Sequence, residues 1–335
     1  MKALSRQPMS RLTRNPASRS GFTLIELMIV IVIIALLVGL VLPGVMSAFR
    51  SARVAEVRKD ISDLETGITT FKQSFGIEPP SRITLYAAAA DWTSAMYSPE
   101  NKRSLGLLRQ MWPKFDFANC GGASNGTNFV LTDLTGTSTP VTLNGAECLV
   151  FFLGGIIDGS SGGLVGFAKD PAHPFAQASG TGAITNREGP FFTFKGARVS
   201  AGNFNGRLVN TSGNAAFPEY KDPLTQQTKP YLYFSASTGS YATQATNTAL
   251  PISATNPWVN VDCFGIMPNA YYSKFLNTVP PQMSVPYKPK GIQIISPGPD
   301  TNYGFGGLFD PDKVSALSLD DKDNITNFHP GRLGG

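Results

Sequence analysis

The strongest pattern in the chain is an unbroken apolar run from Phe22 to Phe49 in which Glu26 is the only charged group. A helix needs about 20 apolar residues, rising about 1.5 Å each, to cross a bilayer, so this run predicts a membrane-spanning helix. The residues ahead of it, 1–21, are basic and rich in Ser and Arg and read as a leader. Flanking positive charge is retained on the cytoplasmic side, which places everything after Arg50 outside. Pro43, followed by Gly44, removes a backbone hydrogen bond near the end of the run and predicts a helix kink. Beyond it the period changes. Val57, Ile61, Leu64, Ile68, Phe71 and Phe75 recur in alternating steps of four and three. That is the stripe of an amphipathic helix with a globular domain to pack on, with Arg58, Lys59, Asp60, Asp63, Glu65 and Lys72 mostly filling the other faces. Gly76 and Pro79-Pro80 end it. At helical rise, Phe22 to Phe75 makes a rod of about 80 Å.

The pattern is weaker from residue 77 onward. Helical spacing is found in Leu85–Met96, Lys102–Gln110 and Ala146–Leu153. Strand character is found in Asn128–Leu134, Phe191–Phe194, Tyr231–Phe234 and Gly291–Ser296, each bounded by Gly, Pro or Ser. Gly154–Gly182 and Tyr241–Pro257 read as loop. The chain therefore divides into a leader (1–21), a transmembrane helix (22–45), its amphipathic continuation (46–76) and an extracytoplasmic globular domain (77–335). The fold class is α+β, a long N-terminal helix packed on a domain with a small antiparallel sheet.

Composition sharpens this picture in two places. Among 335 residues there are 34 Gly and 25 Pro with only 15 % charged, as in a loop-rich domain. The net charge of +5 is accounted for by Lys2, Arg6, Arg11, Arg14 and Arg19, all in the leader. The remainder is formally neutral, with no basic surplus to collect phosphates, so nucleic acid is not an expected partner. Cys120, Cys148 and Cys263 allow one disulfide in any of three pairings, and their spacing fits no zinc site. His173 and His329 each precede a proline and read as loop residues; no Gly-x-Ser-x-Gly and no phosphate-cradling loop accompanies them. No catalytic residue is expected. Phe151-Phe152 and Phe191-Phe192 read as core.

The string Gly21-Phe22-Thr23-Leu24-Ile25-Glu26-Leu27 resembles the type IV prepilin signature, shared with type II secretion pseudopilins. The resemblance implies that a prepilin peptidase cuts the Gly21–Phe22 bond and methylates the Phe22 amine. It further implies that Glu26 pairs with the N-terminal amine of a neighbouring subunit. A carboxylate inside an apolar segment is costly. On this reading the cost is offset only on assembly, with the 22–45 helix as filament core. Two C-terminal passages resemble the major pseudopilin. One is Asp222-Pro223 with Tyr231-Leu232-Tyr233. The other is Ile294–Asp300 with Asp320–Phe328, whose counterpart in that family is a calcium-binding loop. By that resemblance Asp300, Asp320, Asp321 and Asp323 are the calcium candidates; on their own chemistry they are hard oxygen donors on loops. About twenty residues separate the acidic pieces here, and residues 80–220 have no counterpart in a small pseudopilin. Larger prepilin-like proteins carry passages similar to Glu147–Gly155 and Gly189–Phe192.

The expected function is a structural subunit of a type II secretion pseudopilus or type IV pilus-like filament. Its partners would be the prepilin peptidase, the inner membrane and other pilin or pseudopilin subunits. The location would be the bacterial inner membrane, single-pass, then a periplasmic or surface filament. The alternative is a surface adhesin or carbohydrate-binding protein that uses the helix as an anchor.

Overall fold

The computed structural model describes residues 21–86, 92, 99–117, 141–157, 163–176, 186–202, 216–224, 226–236, 270–275 and 284–335. The chain divides into two units that meet between Ser51 and Ala52. Helix α1 (Leu24–Phe75) supplies the first unit and enters the second, and it passes through Pro43 without interruption. Within the first unit every large apolar side chain from Phe22 to Phe49 is exposed. Among the described residues this is the one helix long and apolar enough to cross a membrane.

In the second unit the stripe read from the sequence is buried in full: Val57, Ile61, Leu64, Ile68, Phe71 and Phe75. Asp60 is buried with it, against the expectation of an outer face. The helix ends at Gly76, whose positive φ of 79° gives the left-handed turn and whose N–H bonds Lys72 O at 2.8 Å.

Strand β1 (Ile83–Leu85) follows, then helix α2 (Pro99–Met111), strand β2 (Val141–Leu143) and helix α3 (Gly145–Gly154). Strands β1 and β2 pair antiparallel. Leu85 therefore ends a strand rather than starting a helix, because its backbone is committed to Val141. All ten residues of α3 are buried. Asn144 caps it, accepting from the Glu147 N–H at 2.9 Å while the Glu147 carboxylate accepts from the Asn144 N–H at 2.9 Å. Phe151 and Phe152 are core, as expected, and edge-to-face contacts join them to Phe71, Phe167 and Phe217.

Part of the stretch read as loop is ordered by backbone contact. Gly155 ends α3 at φ 80°, and a Cβ there would lie 2.3 Å from the Gly166 backbone. Gly155 bridges Gly166 and Ile157 bridges Leu164 ahead of strand β3 (Phe167–Ala168), which pairs with β4 (Arg187–Glu188). Phe191–Phe194 is not a strand. The Phe191 and Phe192 N–H groups both donate to Leu153 O, at 2.7 and 3.3 Å, so this segment caps α3 instead of joining a ladder. It also presses on α1, where a Cβ on Gly67 would lie 3.0 Å from Phe191 O.

Strands β5 (Val199–Gly202) and β6 (Ala216–Tyr220) form a hairpin pair that leads to β7 (Leu232–Ser235). After β8 (Tyr271–Phe275) and β9 (Ser284–Pro286) comes β10 (Ile292–Ser296), then β11 (Gly307–Leu308), the short helix α4 (Leu319–Asp323) and β12 (Ile325–Thr326). The antiparallel sheet β12-β10-β7 contains both strands expected at Tyr231–Phe234 and Gly291–Ser296, and every residue of β7 and β10 is buried. Asn128–Leu134, Tyr241–Pro257, Cys120 and Cys263 lie outside the described residues, so the disulfide expectation meets no described pair. Cys148 is buried on α3 with its Sγ 3.7 Å from Leu143 O.

Candidate functional site

The N-terminal site begins at an open peptide bond. Phe22 is 86 % exposed, and space around Gly21 is open, with nothing within 4 Å of where a Cβ would stand. Thr23 is the residue before the first helical turn. Its Oγ accepts from the Glu26 N–H at 3.3 Å, while the Thr23 N–H and hydroxyl both donate to Glu26 Oε2 at 2.8 Å. This is a capping box, in which the carboxylate satisfies a helix-end donor and lies at the positive end of the helix dipole. The chain thus supplies partners to Glu26 by itself, a point that the reading of an acid covered only on assembly missed. The Thr-x-x-Glu spacing in Thr23-Leu24-Ile25-Glu26 is the sequence signal for it. Oε1 takes part in none of these three bonds.

A second polar centre ties α1 to its domain. Asp60 forms a two-pronged ion pair with Arg198, whose other prong is Nη1 to Oδ1 at 3.2 Å, and Tyr231 Oη donates to Asp60 Oδ2 at 2.8 Å. Arg198 also stacks over the Tyr220 ring at 4.3 Å. Burial first, and the Asp60 carboxylate second, push the Tyr220 hydroxyl up to about 12. Five residues on, Glu65 Oε1 accepts from Lys288 Nζ at 2.7 Å and Asn327 Nδ2 at 2.8 Å. The Asp222-Pro223 turn is built on a buried carboxylate: Asp222 accepts from Ser296 Oγ at 2.6 Å, Gln227 Nε2 at 2.9 Å and the Leu224 N–H at 3.0 Å. Burial raises its pKa despite those donors.

The four candidate calcium ligands have different surroundings. Asp321 is 3 % exposed and receives four donors from the protein: Tyr271 Oη, Ser318 Oγ and the N–H groups of Phe305 and Gly306. Asp323 pairs with Arg332 at 2.7 Å. Asp300 accepts from the Asn302 N–H at 2.8 Å, and its pKa is raised by burial first, then by Asp323 and Asp320. Asp320 is exposed. Among the described residues no group of three or more His, Cys, Asp or Glu side chains is arranged to hold a metal ion.

Both histidines lie outside helices and strands. His173 Nδ1 is 2.9 Å from Asp170, and the His329 ring stands edge-on to Phe309 at 5.3 Å.

Two comparisons with known proteins bear on these sites. The prokaryotic N-terminal methylation motif matches residues 16–42, the stretch that carries Gly21, Phe22 and Glu26. The chain is also similar to the type II secretion system core protein G of Pseudomonas aeruginosa, 33 % identical over 93 residues. That match takes in 28 % of this chain and 65 % of the relative. No solved structure matches. One N-terminal apolar helix and the motif fit a single-pass inner-membrane protein. The chain thus carries a prokaryotic N-terminal methylation motif and is similar, over 28 % of its length, to a type II secretion core protein.

Proposed function

We propose that this chain is a prepilin-like structural subunit of a type II secretion pseudopilus or a type IV pilus-like filament. In this reading a prepilin peptidase cuts after Gly21, the Phe22 amine is methylated, and stacked α1 helices of neighbouring subunits hold the filament together. The domain after α1 stands outside the membrane and forms the filament surface, and the role is structural, not catalytic. The observation that carries the reading is the methylation motif at 16–42 laid over an exposed apolar helix with one acid in its first turn. A carboxylate kept in such a segment marks function. Glu26 Oε1, outside the capping box, is the oxygen assigned to the amine of the next subunit.

The test separates two steps. Gly21→Val is expected to leave an uncleaved precursor in the membrane. Glu26→Ala is expected to be cleaved but to stay out of sheared filaments. Normal cleavage of the first variant together with normal incorporation of the second would overturn the proposal.

A further inference from the structure

We propose that the C-terminal loop of this chain is closed by a metal-free clasp centred on the Asp321 carboxylate, at the place where the resemblance points to calcium. Both oxygens of Asp321 are filled. Oδ1 accepts from Tyr271 Oη at 2.7 Å and the Gly306 N–H at 2.9 Å, and Oδ2 accepts from Ser318 Oγ at 2.6 Å and the Phe305 N–H at 3.2 Å. A carboxylate offers about four lone-pair sites, so none is left for a cation. The donors come from three separate stretches of chain, namely β8, the 305–306 loop and the residue ahead of α4. A calcium ion would take six to eight oxygens and would have to expel donors whose hydrogens point toward the space it needs.

Steric facts agree with the hydrogen bonding. At Gly304, with φ 66°, a Cβ would lie 2.5 Å from Asp321 Cγ, so backbone packs directly on the carboxylate. At Gly298 a Cβ would lie 2.0 Å from Asp323 O, which covers a carbonyl that could otherwise serve a metal. Asn324 Nδ2 donates to Tyr271 Oη at 2.7 Å and to Tyr303 O at 2.6 Å, extending the clasp to the far side of the loop. The last residues lock over it: the Leu333 N–H bonds Asn324 O at 3.0 Å, the Gly334 N–H bonds Lys322 O at 2.8 Å, and Leu333 is fully buried.

The test is a thermal melt of the full chain in detergent micelles, with excess calcium chloride or with EGTA. Wild type should melt at the same temperature in both. Asp321→Asn should lower the midpoint by about 3 °C or more in both, make the 303–306 loop sensitive to limited proteolysis, and gain nothing from added calcium. Tyr271→Phe, which removes one donor and leaves the carboxylate, should give a smaller shift of the same kind and serves if Asp321→Asn does not fold. A saturable rise of the wild-type midpoint with calcium would overturn the clasp. So would an Asp321→Asn protein as stable and protease-resistant as the Asp320→Asn control.

Discussion

Glu26 is exposed in the isolated chain and already engaged by Thr23. Replacing Thr23 with Val keeps the shape of the side chain but removes one donor to the carboxylate and the acceptor for the Glu26 N–H. Thr23→Val is therefore expected to reduce incorporation into filaments, and Thr23→Ser to restore it, measured as the sheared fraction of total processed protein. Asp60 is a second residue whose role depends on its partners. Arg198→Met leaves its carboxylate buried with Tyr231 as the remaining donor given by the geometry. Stripping one side of a buried ion pair costs about 3–5 kcal/mol, and denaturant unfolding of the full chain in detergent should register a loss of that order.

Asp222 gives a pH signature. Its folded pKa lies above the ordinary value of 3.8 because of burial. The folded state then binds the proton more tightly than the unfolded state, so Asp222 opposes folding when ionised and ceases to do so as pH falls through its raised pKa. In paired melts the wild type should gain on Asp222→Asn as pH falls into that window. A constant difference across pH would contradict the assignment.

At the scale of elements, α1 was legible because its apolar positions keep the helical period without a gap. The same period places Asp60, three residues after Val57 and four before Leu64, on the buried face; its charge argued for the opposite side, and only the distant Arg198 and Tyr231 explain why period won. Phe191–Phe194 was misread as a strand because aromatic residues suit strands locally. What decides its conformation is Leu153 O, an acceptor nearly forty residues earlier that no local pattern announces. Glycines divide in the same way. Gly155 sits at φ 80° against the Gly166 backbone, whereas Gly106, inside α2, has open space around it. Gly155→Ala should cost more than about 2 kcal/mol through strain and steric conflict. Gly106→Ala should gain about 0.5–1 kcal/mol through helix propensity. Thermal melts of the two variants should thus move in opposite directions.

For the whole molecule, the sequence was most informative where a local pattern sets the outcome, as in the apolar run and the buried stripe of α1. It was least informative at the C-terminal loop. There Asp300, Asp320, Asp321 and Asp323 look alike in sequence, yet Asp321 alone receives hydroxyl and amide donors from Tyr271, Phe305, Gly306 and Ser318. Those donors are brought together by the fold, so the difference between a solvated acid and a buried clasp could not be read ahead of it. The whole molecule is therefore a helix long and apolar enough to cross a membrane, with one acid in its first turn and an α+β domain built on its second half.

Processing after Gly21 is read out by the N-terminus of the mature protein, determined by intact mass and N-terminal peptide mass spectrometry of the chain recovered from membranes of a host with an active prepilin peptidase. The recovered protein should have lost residues 1–21 and begin at Phe22 with a single added methyl group. A mature protein that begins at any other residue, or that keeps residues 1–21 with the peptidase active, would contradict cleavage after Gly21.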